Sequence, residues 1–248
     1  MRDLKEFMDS TYLKTAEQAG VSVEENNKLV AELIEEAIKE DFKLAMIRPD
    51  QVKMGRTMVD EAKSKVLVGT VIDFPEGNRG LKAKLVEAEQ AVIDGVDELD
   101  YVVDYTAFKK GLTDQVKEEV YQCTAFGLNE GKTVKWIIET AALTDTEIIQ
   151  LTTLIKNVVM SKFEEKLYSK VFVKSSTGFY KTEGGKPNGA TIPAIVLMLE
   201  NAGPLPVKAS GGIRDRETAI EMIDLGVKRL GTSSAKIIVE GSGTVDNY

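Results

Sequence analysis

Two textures alternate along the chain. Short apolar, β-branched runs stand at 43–47 (KLAMI), 65–71 (KVLVGTV), 98–103 (ELDYVV), 133–138 (TVKWII), 170–174 (KVFVK), 206–209 (PVKA) and 228–231 (KRLG). Near-continuous apolar runs of this length suit strands buried on both faces of a parallel sheet. Amphipathic stretches separate them. The first opens at Ser22-Val23-Glu24-Glu25, which has the spacing of a capping box, and runs to about Glu40. Leu29, Leu33 and Ala37, with Val30, Ile34 and Ile38, recur at i, i+4 and mark its buried stripe. Further helices are predicted to start near Arg79, Asp114, Asp145, Thr191 and Asp215. Gly95, Gly131, Gly203 and Gly226 follow helical stretches, where a left-handed residue closes a helix.

An eighth strand fits at 7–12 (FMDSTY), on a pattern that is weak by itself. Eight β-α units in 248 residues favour an α/β fold of the (β/α)8 TIM-barrel type, which typically needs about 250 residues. An open doubly wound sheet has the same periodicity. No linker, repeat or low-complexity tract divides the chain, so residues 1–248 are expected to form a single barrel domain.

Composition narrows the chemistry. The net charge of −8 offers no basic face for nucleic acid, although 32 Lys and Arg leave room for a local cationic pocket suited to a small phosphorylated ligand. Histidine is absent and Cys123 is the only cysteine. Ser-His-Asp and Cys-His catalysis and His-ligated zinc are thereby excluded, and acid–base work falls to carboxylates, lysines, tyrosines or water. No run approaches the 18 or so apolar residues of a membrane span, and the N-terminus reads as neither signal nor anchor, so a cytoplasmic protein without membrane partners is expected.

Charges at the C-terminal ends of buried strands stand out, because that end of a barrel carries the active site. Lys174 directly follows Val171-Phe172-Val173. Burial or a nearby cation would release its proton and make the amine a nucleophile; the competing reading is a lysine snorkelling to solvent. Lys208, on the next strand, would supply such a cation. Asp100 shares a strand face with Glu98 and could relay protons through water or form an ion pair with one of the lysines. Glycine-rich turns at 210–214 (SGGIR) and 231–234 (GTSS) follow the seventh and eighth strands, the common place for a phosphate in barrel enzymes.

These residues fall into motifs. Residues 174–179 (KSSTGF) resemble the Schiff-base lysine motif of the 2-deoxyribose-5-phosphate aldolase family, and 207–214 (VKASGGIR) its second-lysine and phosphate motif. Residues 98–103 are similar to its proton-relay segment, with further matches at 8–14, 69–77, 135–140 and 189–191. The resemblance implies reversible cleavage of 2-deoxyribose 5-phosphate to glyceraldehyde 3-phosphate and acetaldehyde, without metal or cofactor. Lys174 would be the nucleophile, Lys208 would depress its pKa, and Asp100 would move protons through an ordered water with Lys208 as charge partner. The phosphate would rest on Gly178, Gly211, Gly212, Arg214, Gly231, Ser233 and Ser234. Asp9, Thr11 and Thr177 would complete the substrate end, and the C-terminal Tyr248 matches a tyrosine that assists proton transfer at the enamine in some members. A homo-oligomer, dimer or tetramer, is also implied.

Three features depart from the family pattern. Ser10 stands where histidine is frequent, and Met46-Ile47-Arg48-Pro49 replaces a Cys-Val-Asn-Pro-like segment. The loop at 179–188 looks longer than usual, with Lys181 and Lys186 either reaching the phosphate or standing as solvated loop lysines. Another Schiff-base aldolase of the superfamily, or a phosphosugar-binding barrel without catalysis, are the alternatives.

Overall fold

Eight parallel strands close on themselves in the order β1 to β8 in the computed structural model, which describes residues 3–185 and 187–241. The strands are β1 (Met8–Thr11), β2 (Leu44–Ile47), β3 (Leu67–Ile72), β4 (Glu98–Val102), β5 (Thr133–Ile137), β6 (Val171–Lys174), β7 (Val207–Ser210) and β8 (Arg229–Thr232). Closure is made by β1 against β8, with Met8 opposite Leu230, Asp9 opposite Gly231 and Ser10 opposite Thr232. That pairing decides for the barrel over the open sheet, and it rests on the strand whose own pattern was weakest.

The helices are α1 (Ala16–Ala19), α2 (Val23–Glu40), α3 (Val52–Glu61), α4 (Leu81–Ile93), α5 (Tyr105–Lys109), α6 (Thr113–Asn129), α7 (Asp145–Lys162), α8 (Ile192–Asn201), α9 (Arg216–Leu225) and α10 (Ala235–Glu240). The Ser22 hydroxyl caps α2 by accepting the Glu25 N–H. Full capping boxes, bonded in both directions, form instead at Thr15–Gln18 and Thr144–Glu147. Thr191 and Asp215 cap α8 and α9 as their positions predict. The four glycines after helical stretches all take positive φ. Helix α3 was not anticipated; its apolar face is carried by Val52, Gly55 and Val59, and Gly55 lets Ile47 and Val68 pack close.

Strand alternation sorts the chain into a helix-facing shell and a barrel interior. On β5, Trp136 points outward, donating to Thr124 on α6 at 2.9 Å and stacking on Tyr101. Gly127 of α6 makes room for Val134. Lys135, between them, points inward to Asp100 on β4. The shell is apolar; the interior is largely ionic. No helix among the described residues is long and apolar enough to cross a membrane.

Candidate active site

Asp9 on β1 and Asp100 on β4 both reach Lys208 on β7, a meeting across the barrel axis that only an interior position allows. Lys208 Nζ lies 2.5 Å from Asp9 Oδ2 and 2.9 Å from Asp100 Oδ2. Lys174 Nζ lies 2.9 Å from that same Asp100 oxygen, and Lys135 Nζ lies 2.5 Å from Asp100 Oδ1. Lys135 also pairs with Glu98 at 2.6 Å. Below them Arg229 donates to Asp9 at 2.6 Å and forks onto both oxygens of Glu98 at 3.0 and 3.1 Å. Four cations thus share three carboxylates, with Asp9, Asp100, Lys135 and Lys208 fully buried and Lys174 only 3% exposed.

Protonation follows from this arithmetic. Burial opposes charge on Asp100, but Lys135, Lys174 and Lys208 overcome it and hold the carboxyl well below the usual range. Asp9 is likewise lowered, against burial, by Arg229 and Lys208. Burial pushes Lys135 down, and Asp100 and Glu98 more than restore it, so it stays charged. Lys174 goes the other way. Burial brings it down to about 8, with Lys208 and Lys135 adding to the fall and Asp100 opposing it. Desolvation therefore leads and the neighbouring lysine follows, so both causes expected from sequence act. Asp100 pairs with Lys208 as expected and bridges Lys135 and Lys174 as well.

Above Lys174 lies a cavity of about 130 Å³. Among the residues expected at the site, Thr11, Lys174, Thr177, Gly178, Gly211, Gly212, Arg214, Gly231 and Ser233 line it. Asp9, Asp100 and Lys208 lie beneath it, inside the ion network. Ser234 stays out of the lining; its N–H donates to the Thr232 hydroxyl, which in turn donates to the Ile213 carbonyl and ties the two glycine-rich turns together. Gly211 and Gly212 take φ of 86° and 75°. A Cβ on Gly189 would lie 2.3 Å from the Gly211 carbonyl oxygen, so the two chains approach as only glycine permits. Tyr248 and Lys186 lie outside the described residues. Lys181 is exposed and lines no part of the cavity. A larger groove of about 980 Å³ between α6 and α7 holds none of these residues.

A curated deoxyribose-phosphate aldolase of Thermococcus gammatolerans is 36% identical over 241 residues, covering 97% of this chain and 96% of its own. The chain belongs to the deoxyribose-phosphate aldolase family. The solved structure of an aldolase, QR15, superposes with a TM-score of 0.80 at 33% identity, over 97% of this chain and 96% of that one. The tetrameric deoxyribose phosphate aldolase of Aeropyrum pernix gives 0.74 at 29% identity, over 96% and 89%. No family model matches the chain.

Two of the departures from the family pattern, at Ser10 and Met46, sit away from the cavity, whereas the third, the loop at 179–188, supplies Phe179 and Asn188 to its lining. Ser10 is buried on β1 and Met46 is buried on β2, where Gly69 gives its side chain room; neither lines the cavity. Arg48 reaches the mouth only indirectly. It donates to the Leu13 carbonyl at 2.7 Å and lies 5.0 Å over the Phe74 ring, which packs edge-on against the cavity residue Phe179. Sequence reasoning passed over Lys135, Arg229 and Glu139 as site residues. Lys135 interrupts an apolar strand just as Lys174 does, but in mid-strand; Arg229 opens its strand rather than ending it.

Proposed function

We propose that the protein cleaves 2-deoxyribose 5-phosphate reversibly to glyceraldehyde 3-phosphate and acetaldehyde through a Schiff base on Lys174. The observation that carries this reading is a lysine lowered to about 8 at the floor of a cavity whose rim is made of glycine-rich turns. At pH 7 roughly a tenth of such an amine is free to attack.

The neutral amine adds to C1 of the open-chain sugar, and loss of water gives an iminium. Acetaldehyde carries two carbons and glyceraldehyde 3-phosphate three, so the bond that breaks is C2–C3. Its electron pair flows into the iminium to form an enamine, while the C3 hydroxyl gives up its proton and becomes the aldehyde of glyceraldehyde 3-phosphate. Protonation of the enamine at C2 and hydrolysis then return Lys174 and release acetaldehyde.

Each group has a part in this sequence. Asp100, 2.9 Å from Lys174 Nζ and ionised, stabilises the cationic iminium, while Lys208 favours the neutral amine beforehand. Asp100 and Lys208 move protons through water to and from C2 and the C3 hydroxyl. Backbone N–H groups at Gly178, Gly211, Gly212 and Gly231, with Arg214, Ser233 and Ser234, receive the phosphate. Asp9 holds Lys208, and Thr11 and Thr177 meet the sugar. Tyr248 assists at the enamine on the strength of the resemblance.

The reading includes a homo-oligomer, supported by the tetrameric Aeropyrum pernix relative. It also includes a cytoplasmic location, where a charged phosphosugar is retained. The test is turnover of 2-deoxyribose 5-phosphate with both products quantified. Equimolar products from the wild type and none from Lys174→Leu support the reading; undiminished turnover in that variant overturns it.

A further inference from the structure

Glu139 follows β5 with its backbone in the left-handed region, φ 56° and ψ 70°. Such a conformation is uncommon for a residue other than glycine and gathers at functional sites. The side chain is 1% exposed. Its Oε2 accepts from the Thr177 N–H at 3.1 Å and from the Thr177 hydroxyl, while Oε1 is buried without a side-chain partner among the described residues, and the Ala141 N–H also acts on the carboxylate. The turn after it is tied to the same segment: Thr140 N–H donates to the Ser175 carbonyl at 3.0 Å, and the Thr140 and Ser176 hydroxyls are 2.7 Å apart. Glu139 stands outside the cavity lining, behind Thr177, which lines the cavity beside Lys174 and Ser176.

The Thr177 hydroxyl has one proton and two lone pairs to place. The proton goes to Glu139, and one lone pair takes the Phe179 N–H at 3.0 Å. One lone pair remains for the cavity. Were Glu139 replaced by a group that accepts nothing, the hydroxyl proton would turn to the cavity and Thr177 would meet a ligand as a donor.

We propose that Glu139 is a positioning residue that acts through Thr177, fixing its hydroxyl as an acceptor and so selecting a substrate that brings a hydroxyl donor close to the carbon bound to Lys174. This rests on the aldolase reading of the cavity. In 2-deoxyribose 5-phosphate the C3 and C4 hydroxyls are such donors; acetaldehyde has none. Burial raises the Glu139 carboxyl to about 7, against the pull of its two Thr177 bonds and of Lys174 on β6. The other titratable side chain coupled to it is Tyr105 on α5, raised by burial first and by Glu76 and Glu139 after it.

Three variants test the proposal. Glu139→Gln keeps an oxygen for both Thr177 bonds and removes the charge, Glu139→Leu removes the acceptor, and Thr177→Val removes the hydroxyl at nearly constant shape. Each is assayed for kcat and KM on 2-deoxyribose 5-phosphate and for borohydride trapping of acetaldehyde on Lys174. The expected result is a KM for the sugar phosphate raised about tenfold or more in Glu139→Leu and Thr177→Val, with a loss of acetaldehyde trapping about tenfold smaller. Glu139→Gln returns KM to within about threefold of wild type.

Wild-type KM in Glu139→Leu overturns the proposal, as does a Glu139→Gln as deficient as Glu139→Leu. An equal loss with acetaldehyde also overturns it, since Glu139 would then only hold the barrel mouth together. If Glu139→Leu does not fold, Thr177→Val decides, and an unaltered KM there overturns the proposal. Wild-type protein that traps neither compound removes the aldolase reading and this inference with it; wild type that traps both beside an indifferent Thr177→Val removes this inference alone.

Discussion

Lys174 and Lys208 meet through a shared oxygen: each ammonium nitrogen lies 2.9 Å from Oδ2 of Asp100. A cation that shares an anion with the nucleophile is well placed to weaken that nucleophile's hold on its proton. Lys208 accordingly stands among the groups that bring Lys174 down to about 8, after burial. Replacing Lys208 by Met removes one repelling charge and leaves Asp100 more attraction to spend on Lys174. The Lys174 titration should move up by about one pH unit, so that Schiff-base formation at pH 7 falls about tenfold. The pH dependence of the trapping rate measures this. A rising limb still centred near 8 would show that burial alone sets the value.

Arg229 supports the network from below. Its guanidinium spans Asp9 and both oxygens of Glu98, a geometry that suits a planar fork and not a point charge. Arg229→Met leaves two buried carboxylates short of a partner and should cost about 3–5 kcal/mol in urea unfolding. Arg229→Lys should recover only part of that. Equal stability of wild type and Arg229→Met would mean that the network is internally balanced without the arginine.

The glycine turns make a prediction separable from the amine chemistry. A Cβ at residue 189 would lie 2.3 Å from the Gly211 carbonyl oxygen and 2.4 Å from its carbon, so Gly189→Ala must shift the turn after β7. KM for the phosphorylated sugar should rise about tenfold or more while trapping of acetaldehyde on Lys174 changes little. A parallel loss of both would place the turn's contribution in the barrel rather than in phosphate binding.

Glu139 gives a pH signature in stability. Its carboxyl is raised from 4.5 to about 7 in the folded protein, so between those values the folded state holds a proton that the unfolded state releases. The stability it contributes is full below about 4.5 and is lost as pH rises through about 7. Glu139→Gln lacks this loss. Its stability relative to wild type should therefore improve from pH 4.5 to 7.5, by up to about 3 kcal/mol in denaturant unfolding. Lys174 titrates in a different window: its value falls from 10.5 to about 8, so this lysine makes stability rise with pH between those values. A pH-independent difference between the Gln variant and wild type would contradict the assignment.

Much of this was legible in the sequence because barrel strands are buried on both faces and announce themselves as apolar runs. Lys174 was legible as a charge ending one of those runs, where barrels do chemistry, and Lys208 and Asp100 as charges interrupting them, although in the structure both stand within their strands. β1 was nearly invisible, since three of its four residues, Asp9, Ser10 and Thr11, are polar. Asp9 is tolerated there because Lys208 and Arg229 neutralise it, a compensation supplied by β7 and β8 some two hundred residues away. The same holds for Glu139. No local pattern reveals a carboxylate whose partner, Thr177, lies on the loop after the neighbouring strand.

The central claim is that Lys174 forms the Schiff base. Incubation of the protein with 2-deoxyribose 5-phosphate, reduction by borohydride and peptide mass spectrometry test it most directly. The account predicts a reduced adduct on Lys174 and on no other lysine, forming faster as pH rises through about 8. An adduct on Lys208 or Lys135 in its place, or none from folded protein, would contradict it.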